Sequence, residues 1–239
     1  MSLMKLKQTG KLPENSDQFL LPELIDFNNS NIVELGCGTA LVTRKLAEAW
    51  PTANIIAAEV DVTQHNKNLA ISDLHNVTFQ LAGMESINVD DSSIDAVIML
   101  KSLHHVPGHL LERGFAEVHR ILRPGGQLYI SEPVFDGDFN EILRLFNDEE
   151  QVRQSAFDAT VKAVESGQFK LVSETHFLSK SVFADFAAFE ERILNVTHSE
   201  FGIDDELHQK IKSKFKDFPD IDGSKVFMNP TRVDLLKKH

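Results

Sequence analysis

The 239-residue chain has one cysteine, one tryptophan and one tyrosine. Cys37 alone cannot close an internal disulfide, so nothing covalent braces the fold, and a cytoplasmic protein is the expectation. No apolar run approaches the roughly 18 to 20 residues that span a bilayer, and Met1 to Met4 do not open a long apolar stretch of the secretion-signal kind. Positive charge is also short, with 24 lysines and arginines against 36 aspartates and glutamates, a formal net of −12. Such a balance disfavours broad contact with a phosphate backbone, so neither nucleic acid nor a membrane span is among the expected partners. With 42% hydrophobic and 25% charged residues, the composition excludes collagen-like, low-complexity and disordered classes.

What is present is an alternation of short apolar runs with amphipathic stretches. Ile32–Leu35, Asn54–Ala58, Val77–Leu81, Ile94–Met99 and Gln127–Ile130 read as strands, and Ala40–Trp50, Thr63–Ile71 and Leu110–Leu122 as the helices between them. Pro51 stops the first helix, and the breaker run Arg123-Pro124-Gly125-Gly126 stops the third. Repeats of this kind predict an α/β fold: a doubly wound, mostly parallel sheet. After Pro133 the pattern changes. One long helix or two are expected between Phe139 and Gly167, a strand at Phe169–Phe177, helices over Asp185–Val196 and Asp204–Phe218, and a last strand at Lys225–Leu236. The whole chain reads as a single domain, with residues 134–167 and 184–218 as helical cap segments over the carboxyl ends of the strands, where open α/β sheets bind ligands.

The most informative segment is Glu34-Leu35-Gly36-Cys37-Gly38-Thr39-Ala40, a strand running into a glycine turn that opens a helix. Gly36 and Gly38 allow positive φ and close approach of backbone N–H groups to a ligand. A dinucleotide turn would carry a third glycine where Leu41 stands, and the Glu34 carboxylate would repel a pyrophosphate. An acid beside the turn suits a ligand with positive charge instead. Glu59 closes the second strand about 20 residues later, where a carboxylate accepts hydrogen bonds from both hydroxyls of a ribose. A nucleoside with a cationic tail has that chemistry, and S-adenosylmethionine is such a molecule.

At these residues the sequence resembles the class I S-adenosylmethionine-dependent methyltransferases, in particular the small-molecule branch that includes the ubiquinone and menaquinone enzymes. The resemblance runs over residues 30–133: the glycine turn, Glu59-Val60-Asp61, Ser93–Ile98 followed by Leu103-His104-His105-Val106, and Leu122-Arg123-Pro124-Gly125-Gly126-Gln127-Leu128. It implies a Rossmann-like sheet with its last strand antiparallel, S-adenosylmethionine as cofactor and a small-molecule acceptor. The cofactor contacts it implies are Glu34, Gly36, Cys37, Gly38, Glu59, Val60, Gly83, Met84, Glu85, Leu100 and Lys101. Ala40 stands where the family often has a third glycine, and Gly83 where many members hold the adenine amino group with an aspartate. That bond must then come from the backbone, from Glu85 or from elsewhere, while Met84 offers a backbone N–H and a polarizable side chain to the adenine.

An acceptor hydroxyl or acidic carbon needs a general base, and His104, His105, Glu132 and His176 are the candidates, with His105 preferred and Glu132 expected to line the acceptor pocket. No metal site is expected, because adjacent histidines do not readily point to one centre. The lysines at 210, 212, 214 and 216 read as a solvated helix face. Phenylalanine is abundant, 17 in all, and many lie beyond residue 134. Most should be core, and some could line an apolar acceptor pocket. The rival functions are a protein or RNA methyltransferase, which needs a basic groove, and a non-catalytic binding module, which needs a plugged acceptor pocket.

Overall fold

The computed structural model describes residues 4–195 and 201–239. Five strands, β1 (Asn31–Leu35), β2 (Asn54–Glu59), β3 (Val77–Leu81), β4 (Ile94–Leu100) and β5 (Leu122–Pro133), run parallel. β8 (Ser224–Lys238) inserts antiparallel between β5 and β6 (Phe169–Phe183), and the short β7 (Asp220–Ile221) pairs with it. The spatial order is β3-β2-β1-β4-β5-β8-β6, a doubly wound sheet with its final strand reversed.

The strands are continuous apolar runs because helices cover both faces. On one face Val33, Val97, Leu128 and Ile130 pack beneath α4 (Leu111–Ile121), which buries Phe115 and Val118, and beneath α6 (Glu150–Glu165). On the other, Ile32, Ile55, Ile98 and Tyr129 meet α2 (Leu41–Ala49) and α1 (Asp17–Leu24), which contributes Leu20 and Leu21. Helix α1 is absent from the sequence reading, since Pro22 lies inside it. It serves the single tyrosine, whose buried hydroxyl donates to Asp17 at 2.9 Å. α3 (Val62–Asn68) starts on Asp61, whose side chain accepts from the Thr63 N–H.

Two expectations change in detail. The run Arg123–Gly126 ends α4 but does not form a separate loop: β5 already begins at Leu122, and the register shifts between Ile94 and Ala96 to absorb the extra residues. The helical region after Pro133 divides into α5 (Asp138–Leu143) and α6, with Asp148 accepting from the Glu150 N–H where α6 begins. β6 runs on to Phe183, well past Phe177. Beyond it, α7 (Phe186–Phe189) passes into a π-turn, Glu190–Leu194, and Val196, the expected end of that helix, lies outside the described residues. α8 (Asp205–Asp217) follows the expected course. It carries the lysine run, with Lys210 paired to Glu206 and Lys212 and Lys214 over the rings of Phe186 and Phe218.

The phenylalanines gather into a separate apolar cluster of Phe183, Phe189, Phe215 and Phe227 with Ile142 and Ile211, flanked by Phe139, Phe146, Phe186 and Phe218. This cluster fastens α5, α7 and α8 to the outer ends of β6 and β8. Among the described residues no helix is long and apolar enough to cross a membrane.

Candidate active site

The glycine turn leaves β1 under tight packing. Gly36 has φ +74°, and a Cβ there would stand 2.6 Å from Cβ of Ser102, which itself donates to the Leu35 carbonyl at 2.8 Å. The N–H groups of Gly36 and Cys37 both donate to the Ala58 carbonyl, that of Gly38 to Glu59 Oε2, and that of Ala40 to the Cys37 carbonyl. The expectation that these N–H groups reach a ligand is corrected here: four donors of the turn are engaged within the protein. A phosphate cradle needs such donors pointing outward. Ala40 holds φ +60°, a left-handed conformation that costs a residue with a Cβ roughly 1–2 kcal/mol, so this position keeps a glycine's backbone without a glycine.

Two carboxylates flank the turn. Glu59 is 8% exposed, and its Oε1 accepts from Val60 N–H at 2.8 Å and Asp61 N–H at 3.0 Å while Oε2 accepts from Gly38 N–H at 2.8 Å. Each oxygen of a carboxylate offers two acceptor positions, so Oε2 retains one. Val60 itself is exposed and contributes backbone rather than side chain. Glu34 is buried at 3% exposure, accepts from the Thr43 hydroxyl at 2.6 Å, and burial pushes its pKa up from 4.5 to about 7. Cys37 is buried as well, and burial together with the Glu34 and Glu59 carboxylates pushes its thiol up to about 12, which leaves a packing residue and no nucleophile.

The loop after β3 is pinned to α4: Glu117 accepts from Ile87 N–H, and Arg120 donates to the Ile87 and Val89 carbonyls while pairing with Asp91 and Glu117. Met84 does not present its side chain to a ligand. It is 3% exposed inside the core, and a Cβ on Gly114 of α4 would stand 2.7 Å from its sulfur. Gly83 has the opposite character: the Glu85 carboxylate lies over it, with Oε1 2.8 Å from where a Cβ would be. The missing side chain at residue 83 is what admits the acid at residue 85.

At the far end of β4, Leu100 packs against the second core face, and Lys101, at φ +57°, donates its N–H to the Ser131 carbonyl and lines a cavity of about 340 Å³. Lys101 therefore stands at this cavity. His104 and His105 border the same cavity. The preference for His105 shifts to its neighbour, because the short helical turn of Leu103–His105 buries His104 and leaves His105 exposed. Glu132, 4% exposed at the end of β5, accepts from Leu103 N–H at 2.8 Å through Oε1, and its Oε2 is in close contact with Nδ1 of His104. The other ring nitrogen, Nε2, lies 3.9 Å from Oε2 of Glu149. Glu132 thus orients the histidine from behind, and the cavity wall is made by His104.

The expectation that adjacent histidines diverge is not met: the two rings sit 4.1 Å apart, and donor atoms of His104, His105 and Glu149 all lie within 4.8 Å of one another. Such a set has the composition of a metal centre. Its acid is already matched, however, since Arg153 donates to Glu149 at 2.5 Å and to Asn140 at 2.9 Å. His176 falls outside the constellation altogether. It is buried on β6 opposite Arg232, 3.1 Å from Glu174. The sequence reading missed Arg153, Glu149 and Arg192; none stands in a motif, and only the packing of α6 and the π-turn brings them to the cavity.

Residues 32–126 match the model of a methyltransferase domain family. Malonyl-[acyl-carrier protein] O-methyltransferase of Hahella chejuensis is 32% identical over 101 residues, which cover 42% of this chain and 36% of that enzyme. The chain spans between about 29% and 58% of the length of these curated relatives. Among solved structures, the YcgJ protein of Bacillus subtilis superposes with a TM-score of 0.61 at 14% identity, over 93% of this chain and 98% of its own. Geranyl diphosphate C-methyltransferase of Streptomyces coelicolor, solved with Mg²⁺, geranyl diphosphate and S-adenosylhomocysteine, reaches 0.55 at 13% identity over 93% and 78%. The fold is that of these proteins.

Proposed function

We propose that this chain, whose residues 32–126 match the model of a methyltransferase domain family, transfers a methyl group from S-adenosylmethionine to a small molecule held beside His104. The observation that carries the choice of cofactor is the engagement of the turn's N–H groups. With those donors turned inward and two carboxylates beside them, the turn favours a cation over a diphosphate.

The residues fit the group. Glu59 Oε2 has an acceptor position left for a ribose hydroxyl, Gly36 keeps the turn thin, Glu34 supplies negative charge behind it, and Glu85 takes the place of the acid absent at Gly83 as acceptor for the adenine amino group. When bound, the cofactor supplies an electrophilic methyl on a sulfonium that departs neutral, so alignment and deprotonation fall to the chain. His104 accepts the proton of an acceptor hydroxyl or acidic carbon at Nε2, while Glu132 on Nδ1 fixes the ring and balances the charge it gains. The cavity wall of Phe139, Leu143, Phe146 and Phe183 keeps water from the reacting atoms.

A cavity of about 340 Å³ is the size of a small-molecule site, and unfilled space of that size beside His104 speaks against a binding module with a plugged pocket. Titration calorimetry with S-adenosylmethionine, S-adenosylhomocysteine and NAD tests the reading. Binding of the first two with no response to NAD is expected; NAD binding alone would overturn it.

A further inference from the structure

The charge of the acceptor cavity is opposite to that of the chain. Across the sequence acids outnumber bases 36 to 24. Around the cavity Lys101, Arg153 and Arg192 face a single carboxylate, Glu149. Arg153 is engaged by Glu149 and Asn140, yet it is 8% exposed and its buried Nε has no hydrogen-bond partner. Neither Lys101 nor Arg192 has a carboxylate within 4.0 Å among the described residues. Arg192 is nevertheless held in place. One guanidinium nitrogen donates to the Val182 carbonyl at 2.9 Å, and the group lies 4.8 Å above the Phe183 ring. A cation fixed on an aromatic face with donors to spare is preorganised for a planar anion.

The remaining wall divides by character. Phe139, Phe146, Phe183 and Ile193 are apolar, and Ser179, Ser181 and Asn229 form a polar seam where β6 and β8 pair. Asn229 donates to Ser181 at 2.8 Å, and its buried side-chain amide oxygen has no partner. Such a lining is too apolar for a sugar and too basic for an amine.

Resting on the methyltransferase reading, we propose that the acceptor is an apolar or aromatic molecule with one anionic head group, a carboxylate or a phosphate, held by Arg192. Its opposite end presents the methyl-accepting atom to His104. In a chain of net charge −12, the three cations of the lining give this cavity a local attraction for an anion.

The test is a matched series with one body and four heads: 4-phenylbutyrate, 4-phenylbutyl phosphate, 4-phenylbutanol and 4-phenylbutylamine. Each is titrated into the full chain saturated with S-adenosylhomocysteine. At least one anion should bind ten times more tightly than the alcohol and the amine, and whichever of the two anions leads identifies the head group. Arg192→Gln should remove most of that preference while leaving alcohol binding, S-adenosylhomocysteine binding and the melting temperature unchanged. Equal or tighter binding of the amine or alcohol, a preference that survives in Arg192→Gln, or no binding of any member at millimolar concentration overturns the proposal. Failure of S-adenosylhomocysteine to bind, by contrast, removes the cofactor reading beneath it.

Discussion

Glu34 offers the sharpest test of how the glycine turn works. Its pKa is raised by burial from 4.5 to about 7, so between those values the folded chain holds a proton that the unfolded chain has released. Stability contributed by this group is therefore present at low pH and lost as pH rises from about 4.5 to 7. At about 1.4 kcal/mol per pKa unit, the displacement is worth roughly 3 kcal/mol. Glu34→Gln keeps an oxygen to accept from Thr43 and cannot ionise. In urea denaturation of the ligand-free protein, the variant should gain roughly 2.5 kcal/mol on the parent between pH 5 and pH 8. The same substitution has a second consequence. S-adenosylmethionine affinity of the parent should rise as pH passes 7 and the carboxylate forms, whereas the variant should bind more weakly at pH 8 and show no such rise. A stability difference that is the same at pH 5 and pH 8 would mean that Glu34 ionises like a solvated acid, and the account of the turn would fall with it.

Gly36→Ala, with its Cβ 2.6 Å from Ser102 and φ at +74°, should cost roughly 2–4 kcal/mol in denaturation experiments, part of it recovered by Ser102→Gly in the same chain. His104→Asn should lower turnover about 10²- to 10⁴-fold with S-adenosylhomocysteine affinity unchanged by calorimetry, while His105→Asn should cost less than about tenfold. Phe183→Ala removes a 1%-exposed ring that meets Phe139, Phe189, Phe215 and Phe227, and should destabilise the protein by roughly 3–5 kcal/mol. Dialysis against EDTA should leave turnover unchanged, because Arg153 already pairs with the Glu149 carboxylate that a metal would need.

The parallel half of the sheet was legible because its central strands are short apolar runs buried on both faces. Glu34 and Glu59 were legible because a carboxylate at a strand end beside glycines has few structural uses. What escaped reading depended on the phase of short turns and on distant packing. Whether His104 or His105 turns inward is decided by three residues of tight helix, and neighbouring identical side chains give no signal. Met84 was assigned to a ligand but faces the gap left by Gly114, thirty positions away in the chain. Arg192 reaches the cavity from the π-turn, whose arrangement follows from the phenylalanine cluster that composition announces without orienting, and Arg153 from α6, which packs against the sheet.

The inward engagement of the turn's N–H groups also bears on what happens after transfer. On the proposed reaction the bound nucleoside arrives as a cation and leaves as a neutral thioether, while the carboxylates of Glu34 and Glu59 stay where they are. A turn rich in outward donors would hold reactant and product through the same contacts. One that faces its ligand with acids discriminates by charge, so the attraction drops at the moment the methyl departs. Turnover at this site would then be timed by its own electrostatics: the used cofactor is the form that the turn retains less strongly.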